Sequence, residues 1–218
     1  DPRADRKATN RLTEILSEID PFPLLQRLDT VVRGRTVVIC GAGPSLEKHI
    51  ESLSREKSMM RATYLVADGA VSLLLNKSWP CHVLVTDLDG NSEDIQASAD
   101  SGALLIVHGH GDNLNEVERT VPGLGQILGS TQVEPTERAF LWGGFTDGDR
   151  ACHIAVEHGA DEIVLAGMDF GKLVGKWSKP EHDEHFVATD KKRAKLEIAE
   201  ILLERLFSQS TVKYRFLR

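Results

Sequence analysis

The chain has 218 residues, 41% hydrophobic and 27% charged, which suits one sizeable globular domain or one domain with a small appendage. Its formal net charge of -7 argues against broad nucleic-acid or anionic-membrane binding, since both need a basic face, and leaves small anionic ligands open. No apolar run approaches the roughly 20 residues needed to span a bilayer, and Cys40, Cys81 and Cys152 lie in or beside apolar runs with no CxxC pair, so buried thiols in a reducing cytoplasm are expected.

Leu12, Ile15, Leu16 and Ile19 recur at helical spacing and predict a helix over residues 8–19, closed by Asp20-Pro21. Leu24, Leu25 and Leu28 suggest a short second helix, so residues 1–33 read as an N-terminal helical appendage to an α/β catalytic domain over 34–218. Short β-branched runs then alternate with helical segments. Strands are expected at 36–40, 63–66, 82–85, 103–107 and 162–166, each apolar on both faces, as strands covered by helices on two sides are. The spacing leaves room for crossover helices, which predicts a doubly wound, mostly parallel sheet. Residues 126–128 suggest a further short strand. Residues 170–189 are polar, irregular and rich in Lys and His, and read as a long loop or lid. Residues 190–207 form an amphipathic helix with Leu196, Ala199, Ile201, Leu202, Leu203 and Leu206 on its apolar face.

Each strand is followed by glycine or carboxylate. In a parallel sheet all these positions share the edge where open α/β sheets bind ligands. The first strand leads into Gly41-Ala42-Gly43-Pro44-Ser45-Leu46, where Pro44 suits a first helical turn. Exposed N–H groups at such a helix start favour phosphate, so Gly41, Gly43, Pro44 and Ser45 are candidate nucleotide contacts, the other reading being a tight turn without ligand. Leu46 stands where a dinucleotide fingerprint wants its third glycine, and the Walker A lysine is absent.

Asp68-Gly69 follows the second strand and Asp87-Leu88-Asp89-Gly90 the third. Asp87 and Asp89, with Asp68 in support, supply hard oxygen ligands that suit Mg²⁺; the alternative is that Asp89-Gly90 only reverses the chain. His108, His110 and Asp112 follow the fourth strand and suit substrate hydrogen bonds better than zinc, whose further ligands are missing. Gly144, Thr146, Asp147, Asp149 and Arg150 form a second glycine-rich helix entry. They read either as capping residues or as a nucleotide-facing loop with Arg150 available for phosphate. His182 and His185 read as solvated. Of Lys172, Lys176, Lys179, Lys191, Lys192 and Lys195, one or two suit closure over a polyphosphate. Phe145, Phe170, Trp142 and Trp177 are the aromatic residues available to stack on a ring, although such residues more often pack in cores.

Taken in order, these motifs, together with Gly167-Met168-Asp169-Phe170, resemble the archaeal 6-hydroxymethyl-7,8-dihydropterin diphosphokinase family from about Gly34 to Leu206. The resemblance implies a Rossmann-like fold and transfer of diphosphate from ATP to the pterin hydroxymethyl group, releasing AMP, with Mg²⁺ required. It places the step in tetrahydromethanopterin or folate synthesis. The expected partners are therefore ATP and a hydroxymethyl dihydropterin, with no nucleic acid and no membrane; a homo-oligomer stays open. Asp87, Asp89 and Asp68 are expected at the metal and Asp112 and His110 near the chemistry. Asp68-Gly69-Ala70 and Asp87-Leu88-Asp89 also look like the acidic motifs of thiamine diphosphokinase. Gly41 to Leu46 resembles the nucleotide-sugar loop of some sialyltransferases, so a nucleotide-sugar glycosyltransferase and a non-catalytic nucleotide-binding domain are the competing expectations.

Overall fold

A computed structural model describes residues 1–179 and 181–218. Its centre is an eight-stranded sheet in which every neighbouring pair is parallel: β1 (Thr36–Cys40), β2 (Thr63–Ala67), β3 (Val83–Thr86), β4 (Leu104–His108), β5 (Ile127–Ser130), β6 (Ala139–Phe140), β7 (Glu162–Ala166) and β10 (Lys213–Phe216). The five strands expected from β-branched runs are present to within a residue or two, and the run at 126–128 becomes β5. The short β6 and the exposed edge strand β10 were not expected, because a two-residue apolar pair and the half-polar run Lys213-Tyr214-Arg215-Phe216 carry no strand signal of their own.

The order across the sheet is β10-β7-β1-β2-β3-β4-β5-β6. The chain starts at β1, winds outward to β6, then returns to place β7 on the other side of β1. The β1/β7 boundary is therefore the point where the winding reverses.

Two helical layers cover the sheet, and alternate residues of each strand face opposite layers. Val38, Cys40, Tyr64, Val66, Leu84, Leu105 and Val107 pack with α1 (Pro2–Ile15), α3 (Leu46–Leu53), α4 (Ala70–Asn76), α5 (Ser92–Asp100) and α6 (Leu114–Thr120). Val37, Ile39, Leu65, Val83, Val85, Leu104 and Ile106 pack with α2 (Pro21–Val32), α7 (Asp147–Glu157) and α8 (Asp190–Gln209). Burial of both strand faces explains why these runs are continuously apolar.

The N-terminal helices are built into this sandwich. Leu12 of α1 is fully buried in one layer and Leu28 and Val32 of α2 in the other. Asp20 caps α2 by accepting from Phe22 N at 3.0 Å, and the helix runs well beyond its three leucines. Residues 170–189 are not wholly irregular. They hold a small antiparallel pair, β8 (Leu173–Val174) with β9 (Phe186–Val187), around a 3₁₀ turn at Lys176–Ser178; residue 180 of this stretch lies outside the described residues. Among the described residues no helix is long and apolar enough to cross a membrane.

Candidate active site

β2 and β3 are in register, with Ala67 opposite Val85, so their ends deliver Asp68 and Asp87 side by side at the carboxyl edge. Leu88 then turns the chain with a left-handed φ of 66°, a conformation that costs a non-glycine residue about 1–3 kcal/mol. Its N–H donates to Thr86 Oγ1 at 2.8 Å, and the turn brings Asp89 back toward Asp68. One carboxylate oxygen from each of Asp68, Asp87 and Asp89 lies within 4.8 Å of the others.

Asp68 is buried. Its Oδ2 accepts from Thr86 Oγ1 at 2.7 Å, Gly90 N at 3.1 Å and Asp89 N at 3.2 Å. Its Oδ1, and the Oδ1 of Asp87, are buried without a hydrogen-bond partner among the described residues. Burial, reinforced by the charges of Asp87 and Asp89 against the Thr86 hydrogen bond, pushes the Asp68 carboxyl up to about 7. Burial and then Asp87 also raise Asp89, against the ion pair with Lys179. Burial works to raise Asp87 too, but His110, whose Nε2 lies 3.5 Å from Asp87 Oδ2, more than offsets it and holds this carboxyl below its usual range. Converging hard oxygens with two unsatisfied buried atoms fit a hard divalent cation such as Mg²⁺.

The start of α7 faces the same cluster. Thr146 and Asp149 form a reciprocal cap, with Asp149 accepting from Phe145 N at 2.7 Å and Thr146 N at 2.6 Å, so Asp149 is consumed by the helix start. Asp147 lines the cleft. Burial, then the charges of Asp87 and Asp68, raise its carboxyl well above the ordinary range, against Arg150. Among the described residues Arg150 is the bulkiest fully buried side chain; its Nη1 donates to Gly143 O at 2.8 Å, and its Nε has no partner among them. Gly144 (φ 79°) is required by packing, since a Cβ there would fall 2.5 Å from Arg150 Cα.

The glycine loop after β1 lies at the reversal point and is tied to the end of β7. Gly41 N donates to Ala166 O at 2.8 Å and Gly43 N to Gly167 O at 2.9 Å. Ser45 N and Oγ both donate to Asp169 Oδ2, at 3.0 and 2.7 Å. A Cβ on Gly43 would fall 2.2 Å from that same oxygen. The buried His49 accepts from Gly167 N at 3.0 Å. A carboxylate of the chain itself thus occupies the start of α3, where an anion was expected. Pro44 lies in the turn before that helix rather than in its first turn.

These parts surround a cavity of about 280 Å³. It brings together Gly41, Gly43, Asp68, Gly69, Asp87, Asp89, His110, Asp112, Thr146, Asp147 and Arg150 from the sequence-derived set; Pro44, Ser45 and Gly144 do not line it. Asp112 stands on its exposed rim, apart from the three clustered carboxylates. Phe145 and Phe170 line the cavity, whereas Trp142 is packed in the core with Phe140. Asp5 of α1 also lines it and accepts from Gly111 N at 2.8 Å. Asp169 was legible only as part of a motif, and Asp5 had no signal, since its place depends on where α1 docks.

Residues 8–175 match the family described as 6-hydroxymethylpterin diphosphokinase MptE-like. A Pyrococcus furiosus protein named 6-hydroxymethyl-7,8-dihydropterin pyrophosphokinase is 40% identical over 209 residues, covering 96% of this chain and 87% of its own length. Proteins of the same name from Methanothermobacter thermautotrophicus and Methanocaldococcus jannaschii are 40% and 35% identical, covering 98% and 93% of this chain and 90% and 87% of their own lengths. Among solved structures, the MAf glycosyltransferase from Magnetospirillum magneticum AMB-1 aligns with a TM-score of 0.49 and 15% identity, over 88% of this chain and 37% of that one.

Proposed function

The chain belongs to the 6-hydroxymethylpterin diphosphokinase MptE-like family, and on that premise we propose that it transfers diphosphate from ATP to the hydroxymethyl group of 6-hydroxymethyl-7,8-dihydropterin in a Mg²⁺-dependent reaction. The observation that carries the site assignment is the convergence of Asp68, Asp87 and Asp89 with two buried, unpartnered oxygens. The pterin diphosphate would serve tetrahydromethanopterin or folate synthesis, and the buried free thiols Cys40 and Cys152 suit a reducing cytoplasm.

The substrate alcohol oxygen bonds to the β-phosphorus of ATP as the bond from that phosphorus to the α,β-bridging oxygen breaks, and AMP leaves with that oxygen. Alignment and charge neutralisation dominate such a step. Asp68, Asp87 and Asp89 would hold the Mg²⁺, which would supply charge neutralisation at the polyphosphate. His110 accepts from Asp112 N through Nδ1 at 3.3 Å, which leaves Nε2 to donate to Asp87 and fix its orientation. Asp112, on the rim, accepts the proton of the attacking hydroxyl. Lys192 and Lys195 of α8 line the cavity and face the phosphates, and the ring faces of Phe145 and Phe170 suit the flat pterin.

Mass spectrometry of the products formed from ATP, Mg²⁺ and 6-hydroxymethyl-7,8-dihydropterin tests the reading. AMP together with a pterin carrying two added phosphoryl groups is the expected result. Folded protein that leaves ATP intact would end the pterin assignment.

A further inference from the structure

The strap from Leu173 to Lys179 is seated on the site by close backbone approach at Gly175 and Trp177. A Cβ on Gly175 would fall 2.2 Å from Ala42 O, and one on Gly69 would fall 2.1 Å from Trp177 O. Glycine at these places lets the strap lie directly on the loops after β1 and β2. At the end of its 3₁₀ turn the strap presents Lys179, whose Nζ pairs with Asp89 Oδ2. Among the described residues it is the only lysine or arginine in an ion pair with the Asp68–Asp87–Asp89 cluster. Lys192 stands behind it, with Nζ 3.5 Å from Ser178 Oγ.

We propose that Lys179 is a resident counter-ion of the acidic cluster that gives up Asp89 to the metal and then contacts the nucleotide's phosphates. This rests on reading the cluster as a metal site. Three carboxylates at this separation repel one another, and an ammonium offsets part of that charge as long as no metal does. When Asp89 turns to a divalent ion, the ammonium beside it becomes a like charge and is expelled. Its four-carbon stem lets it swing while the strap stays seated through Gly175 and Trp177. Lys179 borders the small cleft beside Trp177, and Asp89, which it pairs with, lines the cavity, so the freed ammonium reaches across Asp89 to the negative charge of the polyphosphate. Lys179 therefore has opposite effects on the two ligands: it competes with the bare metal and supports the nucleotide.

The test measures Mn²⁺ binding by electron paramagnetic resonance without nucleotide, and binding of α,β-methylene-ATP at saturating Mn²⁺, in wild type, K179M, K179R and D87N. Removing an ion pair that is about half exposed should tighten Mn²⁺ binding roughly two- to fivefold in K179M. The same variant should weaken the nucleotide analogue by a similar factor, with K179R close to wild type in both. Unchanged or weaker Mn²⁺ binding in K179M, or unchanged analogue binding, would overturn the exchange while wild-type Mn²⁺ binding stood. Wild type that binds no Mn²⁺, or D87N that binds it as wild type does, would instead remove the metal site and this proposal with it.

Discussion

Two regions of one sheet edge treat their polar groups in opposite ways. At the β1/β7 reversal point, the glycine loop is closed on itself: Gly41 and Gly43 bond to the end of β7, and Asp169 takes both donors of Ser45. One or two strands away, past β2 and β3, buried oxygens of Asp68 and Asp87 have no partner among the described residues and three carboxylates crowd together. The first arrangement is at rest without a ligand. The second stores repulsion that a cation would relieve, which is why the proposed chemistry is placed at the acidic end, with the hydrogen-bonded glycine loop beside it.

The sharpest way to break this comparison is Asp87→Asn. It removes a charge that the proposed metal needs, so turnover should fall at least about 100-fold, while the thermal transition holds or drops slightly because the carboxylate that His110 stabilises is lost. Near-normal turnover at limiting Mg²⁺ would shift the chemistry away from the cluster.

Asp68→Asn probes the stored repulsion. In the unfolded chain Asp68 ionises near 3.8, but in the folded protein only near 7, so between those values the folded state holds an extra proton. Metal-free stability should therefore fall as pH rises from about 4 to 7. Asp68→Asn, in chelator, should be more stable than wild type at pH 7 by on the order of 1–3 kcal/mol, and the gain should vanish near pH 4. Denaturation midpoints across pH measure this; a gain independent of pH would show that burial of the charge is not its source.

Asp169→Ala tests the resting loop. Ser45 loses the acceptor for two hydrogen bonds, which should cost about 1–2 kcal/mol of stability and raise the KM for ATP by less than tenfold. A loss of turnover as deep as that of Asp87→Asn would make the glycine loop an equal partner in the chemistry.

The strands of the inner sheet and the sharing of one edge by their terminal motifs were readable from the sequence, because a strand buried on both faces has to be apolar along its whole length. That Asp87 and Asp89 fall at this edge was readable for a related reason, but a plain chain reversal at Asp89-Gly90 fitted the same residues, and their grouping with Asp68 is a product of the fold. The capping role of Asp149 was open in the sequence, since S/T-x-x-D spacing serves a helix start as well as a ligand, and its bonds to Phe145 and Thr146 assign it to the helix. Only the tertiary structure decided that Asp169 closes the glycine loop, that Lys179 reaches Asp89 and that Asp5 borders the cavity. Those contacts join residues 90 to 124 positions apart in the chain. Local periodicity reports which face of an element is buried, whereas the partner across a cleft is set by how whole elements dock, and no spacing along the chain encodes that.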